Sequence, residues 1–324
     1  LQAASYLIYL TKRPILRHIE FFHSAHFEKN YHRTAPPKEL AHFVDFFWET
    51  KFESLWEKYP KGFSDALFPN TGYTYLINLG TPFVMQVSNK KFEMRTDGFL
   101  PRPHAIECFH RIGNRLFGIK FKISPVLFLR SINFAEYRNY IYPLSYLMEQ
   151  RIIDAVKKAP GFRERVDILN TYFIGIIKQQ FNDSKRAIRV VSSILQHCDK
   201  KNDFSTSVEL FAARNKVSVR SLHRYFETVT SLSCKKAIQV LRIRKAVQHL
   251  ANKPETFSYS SYGYYDHSHF YKHLREFLKR DALRDIQLHL LLLKKARQQS
   301  SKNVKPGRKK TAGQAIRKNT KDPF

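Results

Sequence analysis

The chain has 324 residues and carries 56 Lys+Arg against 27 Asp+Glu, a formal charge of +29. At roughly 100–200 residues per domain this length predicts two domains, each large enough for its own core, and the basic surplus favours a polyanionic partner, nucleic acid or an acidic membrane face. Hydrophobic and aromatic contents of 43% and 14% exclude a mainly disordered chain, and three widely separated cysteines (Cys108, Cys198, Cys234) argue against a disulfide scaffold or thiolate zinc site and for a reducing cytoplasm.

In chain order, Ser5–Leu10 is an apolar run with no basic residues before it and no small-residue cleavage site after, so it does not read as a signal peptide. The first residue is Leu rather than Met, which leaves the natural start open. No apolar run reaches the ~18–20 residues of a spanning helix. Pro37 at a first-turn position predicts an amphipathic helix with Leu40, Phe43, Val44 and Phe47 on its apolar face, spaced i, i+3, i+4, i+7. From Phe63 to Lys122 the pattern is of short strands with Gly/Pro/Asn punctuation. Tyr73–Leu79 and Phe83–Val87 flank Gly80-Thr81-Pro82, Phe92–Met94 follows a turn at residues 88–91, and Leu116–Phe121 follows Gly113-Asn114. That spacing predicts a β-barrel or sandwich.

From Pro143 to Cys198 the period is helical. One stripe is Ile152, Ile153 and Val156, ending at Pro160-Gly161; a second runs from Val166 through Leu169 and Phe173 to Ile177; a third holds Ile188, Val191, Ile194 and Leu195. These read as core, with a subunit interface as the alternative. Residues 199–203 form a polar break. Lys294–Phe324 carries a net charge of +10 with almost no large apolar side chains, which predicts a disordered basic tail, either simply solvated or in non-specific contact with phosphates.

One pattern occurs twice between the break and the tail. Val208–Arg214 predicts a short helix, Asn215-Lys216-Val217 a turn, and Ser218 the N-cap of a second helix that buries Val219, Leu222 and Phe226. Small Ala212 permits a close crossing. Arg220, Ser221, His223 and Arg224 are left facing outward, donors of the kind that read guanine edges and phosphates in a major groove. At Gly263–Leu274, Gly263 supplies a positive φ, Asp266 caps the next helix, and Phe270, Leu274 and Phe277 face inward; His267, Ser268, Tyr271 and Lys272 face a groove. Lys235–Leu250 between them predicts about 24 Å of helix, a spacer able to hold two recognition helices near the ~34 Å repeat of successive major grooves.

These residues resemble the AraC/XylS family of transcription regulators over about Phe204–Leu290: Phe211-Ala212 ahead of Val217-Ser218, then Arg220, Leu222, Arg224 and Phe226, then Arg242-Ile243, Ala246 and Leu250, then Gly263-Tyr264 with Asp266, Ser268, His269 and Phe270. Pro36–Leu40, Trp48 and Phe68–Tyr73 are similar to an uncharacterised sensor-type domain found with some such regulators. The resemblance implies a DNA-binding regulator with two recognition helices. Ser258 and Tyr259 stand where the family places Ile-Ala, Lys216 where it places glycine, and Ser231 and Cys234 where Gly and Pro are common. Tyr259 at a position made for a small residue predicts overpacking by about 1–3 kcal/mol, hence a malformed supporting helix and a dominant first motif.

Other chemistry is set aside. His267, His269 and His273 have metal-like spacing but lack the Glu of HExxH. His104, Glu107 and His110 are three apart, which alternates faces on a strand. Cys108-Phe109-His110-Arg111 lacks the unbroken Pro-Cys-His-Arg of alkyl-accepting repair proteins, and no P-loop, GxSxG or GxGxxG occurs. Trp48 and Trp56 read as core rather than as a ligand cage.

The sequence therefore predicts an α+β fold: a β-rich barrel- or sandwich-like regulatory domain at 36–135, a helical connector at 136–198, an all-α domain with two helix-turn-helix motifs at 204–290, and the tail at 294–324. The expected function is cytoplasmic, sequence-specific transcription regulation on double-stranded DNA, with no catalytic or metal residues, no cofactor and no membrane partner. A small-molecule effector, a homodimer and RNA polymerase are the further partners considered. The alternative is a ligand- or protein-binding module with a degenerate, weakly DNA-binding C-terminal domain.

Overall fold

The computed structural model describes residues 16–87, 90–123, 140–180, 185–277 and 286. The fold is α+β, with β-rich structure in the N-terminal part and helices in the C-terminal part. Eleven strands form among the described residues: β1 (Arg17–Ile19), β2 (Tyr31–Thr34), β3 (Val44–Thr50), β4 (Phe63–Leu67), β5 (Tyr73–Asn78), β6 (Phe83–Val87), β7 (Lys90–Met94), β8 (Gly98–Pro101), β9 (Ile106–His110), β10 (Leu116–Phe121) and β11 (Tyr142–Pro143). They make a five-stranded sheet of order β1-β4-β9-β6-β7 and a six-stranded sheet of order β11-β8-β5-β10-β3-β2. Between the sheets lies one apolar cluster that draws Leu76, Leu100 and Leu116 from the second and Phe83, Met85, Ile106 and Cys108 from the first. The β-rich region, expected from residue 36, thus takes in β1 and β2 upstream of it.

The helix expected after Pro37 does not form. Residues 38–43 make a turn in which Val44 N–H donates to Leu40 O at 2.9 Å. Val44–Thr50 is a strand, because β10 and β2 pair with it on either side and its Val, Phe and Trp content suits a pleated surface. The helical spacing has a concrete origin. Lys120 pairs with Phe46 and Phe121 with Val44, so Asp45 is bulged out of the ladder. One inserted residue brings positions three apart onto the same side of the strand, and Val44 and Phe47 are both fully buried. On β10, Gly118 lies opposite Trp48 and leaves room for it: a Cβ there would meet the indole at 2.2 Å.

Among the helices, α1 (Ser24–Lys29) and α2 (Glu53–Lys58) lie between strands, and α3 (Gln150–Lys158) and α4 (Phe162–Gln180) pack on each other. Buried Arg165 of α4 joins them to the sheet. Its Nη1 lies 3.0 Å from Glu49 Oε2 on β3, while its Nε and Nη2 donate to Val156 O and Ala159 O at the end of α3. Residues α5 (Lys185–Lys201), α6 (Val208–Arg214), α7 (Val219–Thr230), α8 (Cys234–Asn252) and α9 (His267–Phe277) complete the described helices. Although the sequence reading puts α5 in the connector, it packs on α7 and α8. Its buried stripe is Ile188, Val191, Ile194 and Cys198. The expected break falls one turn later than its first residue, since α5 runs through Lys201 and Asn202 takes a positive φ.

Candidate nucleic-acid interface

The first motif is built as its local sequence dictates. Ser207 caps α6 by accepting from Leu210 N–H, and Ser218 caps α7 by accepting from Ser221 N–H at 3.1 Å. These caps satisfy donors that the first turn leaves without an intrahelical partner. Between them Lys216 takes φ +53°, the left-handed conformation that a glycine adopts at no steric cost. Its carbonyl accepts from Arg186 Nη2 of α5 at 3.0 Å, so the turn is held from outside as well as by its own bonds. Phe211, Ala212, Leu222 and Phe226 are buried behind the motif.

The opposite face of α7 is open. Arg220 and Arg224, one turn apart, are exposed, while Ser221 and His223 are half-buried. The Ser221 hydroxyl accepts from Ser218 Oγ at 3.0 Å, so it serves the cap and retains its own proton for donation. The helix ends at Ser231, again at positive φ (+58°), and Ser231 Oγ hydrogen-bonds Tyr73 OH of the β-rich region.

The second motif departs from the first. Where a supporting helix belongs, the described residues hold only a 3₁₀ turn, Ser260–Tyr262, closed by Gly263 at φ +67°. Tyr259 does not overpack a helix crossing. The chain unwinds there, and the Tyr259 and Phe257 rings stand 5.3 and 5.6 Å from Phe270, giving an aromatic pile in place of a helix-helix contact. Helix α8 carries this assembly: Arg242 places its guanidinium 3.7 Å from the centre of the Tyr264 ring and donates to Gly263 O, and His249 Nδ1 lies 2.8 Å from Tyr262 OH. Asp266 Oδ1 accepts from His269 N–H at 2.7 Å, seating α9 with Phe270 and Leu274 buried. His267, Ser268 and Lys272 are exposed, and Tyr271 is half-buried with its ring 4.1 Å from that of His267. The side chain of Phe277 lies outside the described residues, as do residues 294–324.

The histidine spacing on α9 has other employment. His273 Nε2 lies 2.8 Å from Gln239 Nε2, whose amide hydrogen it accepts, and burial pushes the His273 imidazolium toward its neutral form. His269 Nδ1 faces Tyr265 N–H. On β9, Glu107 pairs with Arg17 at 2.7 Å and accepts from Ser64 at 3.0 Å, whereas His110 turns to Asn114, so that trio does not converge. The thiols of Cys108, Cys198 and Cys234 are buried and unpaired. Burial pushes the latter two up to about 12 and Cys108 higher still, so none is a thiolate at neutral pH.

The β-rich region holds a partly open cavity of about 70 Å³, lined by Trp48, Leu76, Ile106, Arg33, Arg102 and Lys120 among others. That is room for a few waters, well under the 300–1,000 Å³ of ordinary ligand sites. A more open cleft of about 740 Å³ lies between Glu39–Phe43 and helices α4 and α5. No described helix is long and apolar enough to cross a membrane.

No family model matches the chain, and no curated protein matches it. Among solved structures it is similar to ToxT from Vibrio cholerae. A 1.65 Å ToxT structure (P21 form) is 13% identical over 77% of this chain and 93% of that one, with a TM-score of 0.39. Unsaturated fatty acid bound wild-type ToxT from strain SCE256 is 11% identical over 77% and 90%, with a TM-score of 0.38. ToxT from Vibrio cholerae O395 is 14% identical over 77% and 92%, with a TM-score of 0.37. At these values the likeness transfers neither ligand nor function to this chain.

Proposed function

We propose that this protein is a DNA-binding transcription regulator of the AraC/XylS type, acting in the cytoplasm without catalysis. The observation that carries the reading is α7: a capped helix, packed from behind through Leu222 and Phe226, with Arg220 and Arg224 exposed one turn apart on its outer face. In this reading α7 enters a major groove with Arg220, Ser221, His223 and Arg224 toward base edges and phosphates. Helix α9 offers His267, Ser268, Tyr271 and Lys272 to the next groove, and α8, 19 residues or about 28 Å long, is the spacer. Eleven Lys/Arg in residues 294–324 add sequence-independent phosphate contact. A small-molecule effector, a homodimer and contact with RNA polymerase belong to the same proposal through the resemblance.

The second reading, a binding module whose DNA-reading half is degenerate, is favoured by one observation, the 3₁₀ turn in place of a supporting helix. Selecting bound sequences from a random duplex pool and then titrating salt on selected and random DNA separates the two. Regulation requires a specific-to-random affinity ratio of at least ~10³ that survives physiological salt; a ratio near one at all salts leaves only the degenerate module.

A further inference from the structure

Four side chains far apart in sequence meet inside the β-rich region. His18 Nδ1 lies 3.3 Å and His26 Nε2 3.0 Å from Asp65 Oδ1, and His110 Nε2 lies 3.4 Å from Asp65 Oδ2. They come from β1, α1, β4 and β9, and each is at least nine-tenths buried. The donor atoms of His18, His26 and Asp65 all lie within 4.8 Å of one another. His18 Nδ1, His26 Nε2, His110 Nε2 and Asp65 Oδ1 nevertheless make no well-formed hydrogen bond. A buried polar atom left without a partner costs about 1–3 kcal/mol. Several at one point call for a ligand that satisfies them together.

The surroundings of His110 show what kind. Asn114 Nδ2 donates to Thr81 O at 3.1 Å, which turns Asn114 Oδ1 toward His110 Nδ1 at 2.7 Å. Because Oδ1 only accepts, Nδ1 of His110 carries a proton, and Nε2 is the nitrogen turned to the Asp65 carboxylate. A cation held between that nitrogen and the carboxylate satisfies both. A histidine whose outer nitrogen is fixed by an amide oxygen is the usual arrangement behind a metal ligand. Phe52 and Phe63 wall the group in, with ring centres 4.8 and 5.1 Å from His110, and Tyr31 OH donates to Asp65 Oδ2, the oxygen that faces His110.

We propose that His18, His26 and Asp65, with His110 as fourth donor, bind one divalent first-row transition-metal ion of the Zn²⁺ class. Three imidazoles and one carboxylate match the tetrahedral N/O preference of that ion, and the burial of all four fits a structural or sensory site rather than a catalytic one. The rings of His18 and His26 stack 3.6 Å apart at 7°, so one of them rotates out of parallel when both take the ion. Asn30 Nδ2 lies 3.1 Å from His26 Nδ1 and donates to His26 O at 2.9 Å, which steadies the ring that offers Nε2 to the ion. The ion fastens α1 to the sheet that holds β1, β4 and β9.

The test uses the full chain, stripped with EDTA and titrated separately with Zn²⁺ and Co²⁺. One equivalent retained through gel filtration, a tetrahedral Co²⁺ ligand-field band and a raised Tm are expected. His18→Gln and His26→Gln should each weaken Zn²⁺ by more than the roughly 10–100-fold of an outer-shell change, and Asn114→Ala by an amount within that range. If wild type retains no equivalent, or if histidine variants folded by circular dichroism bind as tightly as wild type, the site does not exist. Should the variants fail to fold, the wild-type spectrum decides: a weak octahedral Co²⁺ spectrum overturns the proposal and a tetrahedral one supports it. No readout depends on DNA binding.

Discussion

Glu20 and Arg244, 224 positions apart in sequence, form a mostly buried ion pair in which Arg244 Nη2 lies 2.6 Å from Glu20 Oε1. The same guanidinium donates to Pro69 O at 3.2 Å and sits 4.8 Å from the centre of the Phe21 ring, so the middle of α8 is fastened to the β-rich region. With the Tyr73–Ser231 hydrogen bond, this joins the two parts of the molecule at the helix between the two motifs and at the end of α7.

Removing the guanidinium tests that clasp. Arg244→Met should lower the free energy of urea unfolding by about 1–3 kcal/mol, the range for losing a hydrogen-bonded charge partner, or split one transition into two. An unchanged midpoint and slope would show that the contact contributes nothing.

The clasp is also acid-sensitive. Burial alone would raise the Glu20 carboxyl, but Arg244, through charge and hydrogen bonding, together with Lys120 and Arg102, holds it down at about 2, against an ordinary 4.5. A carboxylate whose folded value is depressed adds stability that is full above its unfolded value and is lost as pH falls through the folded one. The Glu20 contribution, on the order of 1–3 kcal/mol, should therefore fade between pH ~4.5 and ~2. Glu20→Gln should flatten the stability–pH curve in that window, and a curve parallel to wild type would contradict the assignment.

Arg220→Ala and Arg224→Ala should each cost about 1–3 kcal/mol on the selected DNA site, with relaxed preference at the bases they contact. Both are exposed and neither packs the core, so circular dichroism should be unaltered. Unchanged affinity in both folded variants removes α7 as the reading helix.

The two motifs should contribute unequally. Footprinting is expected to show strong base preference over the half-site under α7 and mainly backbone protection one helical turn away, because α9 rests on a 3₁₀ turn and an aromatic pile. Two half-sites of equal information content would mean that this support holds α9 as firmly as a helix does.

Lys216→Gly should raise Tm. The lysine holds φ +53°, a conformation costing a non-glycine residue about 1 kcal/mol, while the Arg186 hydrogen bond goes to its backbone and survives the change. A lowered Tm would show that the side chain matters more than the strain.

What the sequence determined by itself is local. Ser218, Gly263 and Asp266 act within a few residues of their own position, so the caps, the left-handed turn and the outward face of α7 follow from spacing alone, as do β6 and β10 from alternating runs between turns. Where tertiary pairing intervenes, the local pattern misleads. Val44 and Phe47 have helical spacing, yet a bulge at Asp45 sets both into the core of a strand flanked by two others. Tyr259 is a clash only if its segment stays helical; unwound, its ring meets Phe257 edge-on and Phe270 at a tilt instead. The contacts between distant segments leave no periodic trace at all. Glu20 meets Arg244, and His18, His26 and Asp65 converge from three elements, because strand order in a folded sheet, not distance along the chain, decides which polar groups share one buried space.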